Sequence, residues 1–240
     1  MAPARPPSSG WQAHLSVSEA GVLPITRIQR TDTGQDEKGP YSETSFVSGV
    51  PIAHANGEAL IVTVNHFLNG AKSRECVIGE KADRKGIVVA TDPENDLALV
   101  VCKSKVQWQL AKLAPRDAAN GEVAYVGFPE NGRVRAATAR VTGDGWIDVR
   151  TINGDSGGPV MQNKELVGII NTRAPTLADL SPQYLLSAGK SREKMLAEIR
   201  DLESRRWFGG FVPVSKVREF VSRSAQKLAL DYPVFTQFFQ

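Results

Sequence analysis

The sequence predicts an all-β fold of two packed six-stranded antiparallel barrels, with a helical insertion near 187–206 and a C-terminal helix. Three observations carry this expectation. Short β-branched runs recur, bounded by Gly, Asn, Asp and Pro, at a spacing that suits a sandwich or barrel better than parallel βαβ units. The runs form two groups of about six on either side of a polar bridge, Lys103–Asn120. The 21 Gly and 14 Pro among 240 residues supply the turns that short strands need.

Residues 1–20, rich in Pro, Ser and Ala, are expected to form a loose arm before a domain at 21–230. The N-terminal lobe, about 21–103, holds the runs Val22–Ile28, Thr44–Ile52, Ala59–Val64, Cys76–Ile78, Gly86–Ala90 and Leu97–Cys102. The C-terminal lobe, about 119–214, holds Glu122–Gly127, Arg133–Val141, Trp146–Arg150, Pro159–Met161, Leu166–Asn171 and finally Trp207–Val214. Before that last strand, Met195, Leu196, Ile199 and Leu202 fall at helical spacing. Lys194 and Glu198, and Asp201 and Arg205, stand four apart as helix-supporting pairs. The plain reading is a solvated helix covering one side of a barrel; a partner surface or regulatory lid is the alternative. Ser215–Leu230 reads as a terminal helix. The tail 231–240 carries Tyr232, Phe235, Phe238 and Phe239 and should dock on its own domain or on a neighbour.

Composition narrows the function. Lys and Arg (29) exceed Asp and Glu (26) by three, too few to argue for nucleic acid or an anionic membrane. The basic residues of the two helical stretches (Lys190, Arg192, Arg200, Arg205, Arg206, Lys216, Arg218 and Arg223) are diluted by acidic neighbours. They read as solvated faces, and RNA is not expected as a partner. Two cysteines, Cys76 and Cys102, do not make a disulfide framework, so the cytoplasm or another reducing compartment is expected. The first residues, MAPARPPSSG, lack the apolar core of a signal peptide. No apolar run approaches the roughly 18 residues of a membrane span.

The chemistry centres on Gly154-Asp155-Ser156-Gly157-Gly158-Pro159. Flanking glycines let the backbone present a serine hydroxyl and turn N–H groups inward as an oxyanion hole, with Gly154 and Ser156 the expected donors. A Gly-rich turn that happens to hold Ser and Asp is the bland alternative, and six matching residues are far more specific than a lone G-x-S-x-G. Serine needs a base. Of the three histidines, His14 lies in the arm, His54 beside the turn Asn56-Gly57, and His66 just after the apolar strand Leu60–Val64. A lone His after a strand is usually structural; with this serine motif downstream, His66 is the expected base. The acid that fixes its tautomer is expected at Asp96, at the mouth of the strand Leu97–Val100. The competitor, Asp92, reads as a turn former beside Pro93. The order His66, Asp96, Ser156 is that of the chymotrypsin class, not of subtilisins or α/β-hydrolases.

These residues carry a resemblance. The serine motif is similar to that of the trypsin family. Val62–Phe67 and Asn95–Val100 resemble HtrA/Deg protease domains, as do Leu166–Thr172 and Gly210–Val214. The likeness spans roughly 44–222. It implies a chymotrypsin-like double barrel with His66, Asp96 and Ser156 as the triad between lobes, and peptide hydrolysis through an acyl-enzyme without metal or organic cofactor. Departures are informative. Too little chain follows for the PDZ domain that HtrA proteins usually carry, and Phe67 and Ile152 stand where secreted trypsins have cysteines. Asp155 matches the trypsin aspartate that pairs with a newly cut terminus, but no Ile-Val-Gly-Gly terminus is present. Its partner is then an internal cation, or the loop is ordered without one. HtrA proteins generally have Asn there. The absence of disulfides also resembles the serine proteases of positive-strand RNA virus polyproteins, for which the chain's own flanks are substrates.

By the same resemblance, the primary pocket takes Arg150, Thr151, Ile170, Asn171, Thr172, Arg173, Gly209 and Gly210. Arg150 and Arg173 suit an acidic substrate side chain, since a guanidinium pairs well with a carboxylate. The plainer expectation is that both point to solvent. The expected partner is therefore a polypeptide substrate, either of a polyprotein-processing enzyme or of a cellular HtrA-like one. The competing reading is an inactive protease fold serving as a binding module. It is disfavoured because the whole triad is present, and losing its nucleophile or base typically costs about a million-fold in turnover.

Overall fold

The computed structural model describes residues 24–36, 39–68, 73–79, 83–105, 108–129, 134–143, 145–172 and 208–238. The expected arm, the helical segment 187–206, Arg173 and Phe239 lie outside the described residues.

Strands β1 (Thr26–Asp36), β2 (Gly39–Ala55), β3 (Glu58–Val64), β4 (Glu75–Ile78), β5 (Arg84–Asp92) and β6 (Leu97–Lys103) close a first barrel. Its order is β1-β2-β3-β6-β5-β4. A second barrel, in the order β10-β11-β12-β9-β8-β7, is closed by β7 (Gly121–Gly127), β8 (Arg135–Gly143), β9 (Trp146–Ile147), β10 (Pro159–Gln162), β11 (Glu165–Thr172) and β12 (Gly209–Pro213). All pairings within both are antiparallel. The fold is the double six-stranded barrel that the two groups of runs predict.

The central strands are almost wholly apolar because both of their faces are covered. Ala59–Val64 and Leu97–Cys102 are buried in full and pair from Glu58↔Lys103 to Val64↔Leu97. One face fills the first barrel, and the other meets Leu166 and Ile169 of β11 and residues of the C-terminal helix. Each fully buried Val, Leu or Ile among them contributes about 1.5–3 kcal/mol by leaving water. The second barrel has its own core, with Tyr125, Ile147, Val160, Ile170 and Phe211 at its centre.

One pairing is longer than the apolar pattern indicates. β1 and β2 extend as a hairpin to Asp36↔Gly39, through the polar run Thr31–Asp36. Residues 31–35 alternate only between exposed and half-exposed. A hairpin held by its backbone ladder, with no face in the core, leaves no period-2 signal in sequence.

The polar bridge is stitched to both barrels. Ala111 N–H donates to the Pro51 carbonyl (2.8 Å), while Ala114 N–H reaches Leu166 (2.9 Å). Helix α1 (Val214–Asp231) follows β12 and buries Val214, Val217, Phe220, Val221, Ser224 and Leu228 along one face. Its first turn is held by Asp117 of the bridge, which accepts from Ser215 N–H (2.7 Å) and Oγ (2.8 Å). Beyond it, Phe235 is fully buried in the core of this same domain. Cys76 and Cys102 are free and buried, and burial pushes their thiols up to about 12 and about 11. Among the described residues no helix is long and apolar enough to cross a membrane.

Candidate active site

The serine turn rests against the first barrel, and two hydroxyls hold it there. Ser48 of β2 donates its N–H to the Ser156 carbonyl (2.7 Å) and its Oγ to the Gly154 carbonyl (2.7 Å). The same Oγ accepts from Phe128 N–H (2.8 Å). Thr63 of β3 completes the chain by donating to the Ser48 carbonyl (2.6 Å). From the second barrel, Gly157 N–H donates to the Ile170 carbonyl (2.6 Å), and Ile170 N–H to Gly158 (2.9 Å). The turn is pinned by both barrels.

Its glycines are required by space and by backbone shape. Gly154 (φ 93°) and Gly157 (φ 85°) lie in the left-handed region. A Cβ at Gly154 would strike the Phe128 carbonyl. At Gly157 it would strike the Ser48 carbonyl and come within 2.5 Å of Thr63 Oγ1. Gly157→Ala should therefore cost about 3 kcal/mol or more, combining left-handed strain with a backbone clash. A thermal melt should show a fall of roughly 6–12 °C. A melting point unchanged within 2 °C would mean that the turn has room to move.

His66 opens a short 3₁₀ turn (His66–Leu68) directly after β3, closed by Leu68 N–H to the Asn65 carbonyl (2.9 Å). The turn is anchored by Phe67, whose ring is buried and whose carbonyl accepts from Arg30 Nη1. Asp96 stands just before β6 with φ 54°, a left-handed conformation that Asp tolerates better than most residues. The preceding turn is built on Asp92, which accepts from Asn95 N–H (3.3 Å), Asn95 Nδ2 (2.8 Å) and Arg223 Nη2 of α1 (2.7 Å). Burial raises the Asp92 pKa, but the Asn95 and Arg223 bonds outweigh it and hold the carboxyl below its ordinary value.

Asp96 therefore faces His66, and Asp92 does not. Asp96 Oδ2 lies 2.7 Å from His66 Nδ1, and Oδ1 accepts His66 N–H at 2.8 Å. Two bonds to one carboxylate fix both the ring's orientation and the backbone beneath it. Ser156 is tied to the same region through Ser48, whose carbonyl accepts from Thr63, three residues before His66. Its side chain and the imidazole Nε2 share no hydrogen bond among the described residues. The arrangement offers a hydroxyl, an oriented imidazole and two backbone N–H groups, of Gly154 and Ser156, that donate to no described group.

Asp155 points away from this face into the second barrel. It is fully buried, with Oδ2 accepting from Ile152 N–H (2.9 Å) and Arg135 Nη1 (3.2 Å). Burial pushes its carboxyl up from 3.8 to about 6, against the Ile152 bond and Arg135. A folded-state pKa above the unfolded one favours the protonated native state. This contribution to stability is therefore present below about pH 4 and lost as pH rises through about 6. Relative to Asp155→Asn, the wild type should lose about 3 kcal/mol over that interval. Parallel melts at pH 4, 5, 6 and 7 would check this, and a constant difference between the two proteins would contradict it.

The expected pocket residues separate into groups. Thr151 is fully buried, and Gly209 packs against its methyl with no room for a side chain. Gly210 pairs with both Trp146 and Thr172. The Ile170 side chain belongs to the second core, and its backbone holds the serine turn. Asn171 is half-buried and Arg150 exposed, its carbonyl accepting from Arg135 Nη2 (2.8 Å). Ser48, Thr63, Arg30 and Arg135 escaped the reading of the sequence. A signal existed for Thr63, the single hydroxyl inside the apolar run Leu60–Val64.

Comparison with known proteins agrees with this fold. The model of the trypsin-like peptidase domain matches residues 47–169, just over half of the chain. That stretch begins beside Ser48 and includes His66, Asp96 and Ser156. No curated protein matches the chain.

Proposed function

Because the chain belongs to the trypsin-like peptidase domain family, we propose that it is a serine endopeptidase with His66, Asp96 and Ser156 as its triad. The observation that carries this reading is the paired bond from Asp96 to His66, beside a glycine-flanked serine pinned at the same interbarrel seam. In this reading Ser156 Oγ attacks the carbonyl carbon of a peptide bond while His66 Nε2 takes its proton. The C–N bond then breaks as the imidazolium returns the proton to the leaving amine. Asp96 holds the proton on Nδ1, so that Nε2 is the basic nitrogen, and it stabilises the imidazolium. The N–H groups of Gly154 and Ser156 receive the oxyanion, each worth roughly 10²–10³ in rate. Water repeats the sequence on the acyl-enzyme and releases the second product.

The substrate class is polypeptide. HtrA-like enzymes and polyprotein-processing enzymes both use this chemistry, and the proposal is the chemistry they share. Incubation with an unfolded polypeptide tests it. Cleavage at internal bonds, with new amino termini found by mass spectrometry, is expected. An intact substrate after prolonged incubation with folded protein would favour the binding-module reading.

A further inference from the structure

Resting on the endopeptidase reading, we propose that Arg223 is a positioning residue, through which the C-terminal helix holds the turn that carries Asp96. The triad is divided between the barrels: Ser156 stands on a turn of the second, His66 and Asp96 on the first. Helix α1 crosses from one to the other. Val214 at its start lies in the second core, while Val217, Phe220, Val221 and Leu228 pack into the first. Further along, Arg223 Nη2 donates to Asp92 Oδ2 (2.7 Å). Asn95 Nδ2 donates to this same oxygen (2.8 Å), and Asn95 N–H to Oδ1 (3.3 Å). Arg223 thus grips the carboxylate around which residues 92–95 fold, and Asp96 is the next residue in the chain.

An ion pair from a surface helix ordinarily counts for little. Here the Asp92 side chain is only 5% exposed, so losing the cation strands a buried carboxylate. To reach water that carboxylate must turn outward and carry Asn95 with it. The guanidinium is also accompanied by Glu219, one helical turn earlier, 4.0 Å from Nη1. Asp96 has little slack. It sits at φ 54°, its carbonyl accepting from Asn65 N–H (3.1 Å) and its carboxylate from His66 N–H (2.8 Å). A shift of the turn before it passes directly to the bond that orients the imidazole. Such a shift acts on proton transfer and so on kcat. It leaves KM alone, because neither Arg223 nor Asp92 belongs to the expected substrate pocket.

The test compares wild type with Arg223→Ala, Arg223→Lys, Lys227→Ala, and Arg223→Ala combined with Asp92→Asn. Peptide cleavage gives kcat and KM. Hydrogen exchange is followed at the Asn65 and His66 amides, both of which donate to Asp96. Arg223→Ala should lose about tenfold in kcat with KM changed by less than about twofold. Its Asn65 and His66 amides should exchange faster, while Gly157 N–H, bonded to Ile170 in the second barrel, keeps its protection. Arg223→Lys keeps the charge and a donor, and should return kcat to within about threefold of wild type. The double variant removes the stranded charge, so it should also recover to within about threefold, the scale of one ordinary hydrogen bond. Lys227, exposed one turn further along α1, is the control for helix charge, and Lys227→Ala should match wild type. Should Arg223→Ala not fold, Arg223→Gln, with a long stem and no charge, takes its place. Wild-type kcat in the folded uncharged variant would overturn the proposal. So would a double variant no better than Arg223→Ala, since the effect would then not run through Asp92, or an equal loss in Lys227→Ala. If the wild type cleaves nothing, the endopeptidase reading fails, and exchange at Asn65 and His66 still decides whether Arg223 seats Asp96.

Discussion

Ser156→Ala should lower kcat by about 10⁶-fold while leaving the fold unchanged. The two halves of this expectation come from different atoms. The Ser156 backbone is structural, because its carbonyl accepts from Ser48 N–H and ties the barrels together. Its hydroxyl makes no hydrogen bond among the described residues, so removing it strands no partner and creates no clash. The melting point should therefore shift by no more than about 2 °C, as for a substitution away from packing and bonding. Steady-state cleavage and a thermal melt on the same sample measure both. A variant that keeps a tenth of the activity would show that another group is the nucleophile. The neighbouring Gly157→Ala should behave in the opposite way, losing stability first and activity as a consequence.

Asp96→Asn should lower kcat by about 10⁴-fold through the tautomer of His66. Asn is close to Asp in shape and also tolerates the left-handed φ of 54°. Its amide oxygen can still accept His66 N–H, the bond now made at 2.8 Å by Oδ1. The group facing Nδ1 then becomes an NH₂ donor in place of the carboxylate oxygen at 2.7 Å. The imidazole must present a lone pair there and carry its proton on Nε2, where it can no longer accept one from Ser156. Asp92→Asn is the matching control, since Asp92 bonds to Asn95 and Arg223 and not to His66. It should cost less than tenfold in kcat. Equal losses in the two variants would move the acid's role away from Asp96.

Much of this was legible in the sequence because it is local. A glycine on either side of a serine, a histidine just after an apolar strand and an aspartate just before one each declare themselves within six residues. The two groups of six runs were legible because their inner strands are nearly continuous Val, Ile, Leu and Ala. The rest depends on pairs far apart in the chain. Ser48 to Gly154 spans 106 residues, and Arg135 to Asp155 crosses from a strand to a turn. A half-buried arginine at a strand end reads in sequence like any exposed one. Arg30 escaped for that reason too, being buried and bonded to the Phe67 carbonyl 37 residues away. An internal cation opposite Asp155 was one of two alternatives the chain left open; which of 29 Lys and Arg would supply it could not be read.

The central claim is that Ser156 is an activated nucleophile, and labelling by a fluorophosphonate tests it most directly. The reagent reacts with a serine whose hydroxyl is made nucleophilic and whose oxyanion is received. It requires no knowledge of the natural substrate. Native protein should be labelled on the peptide containing Ser156, as mapped by mass spectrometry, and Ser156→Ala and His66→Ala should not be labelled at all. A folded native protein that stays unlabelled, or a His66→Ala variant labelled as fast as the wild type, would contradict the account.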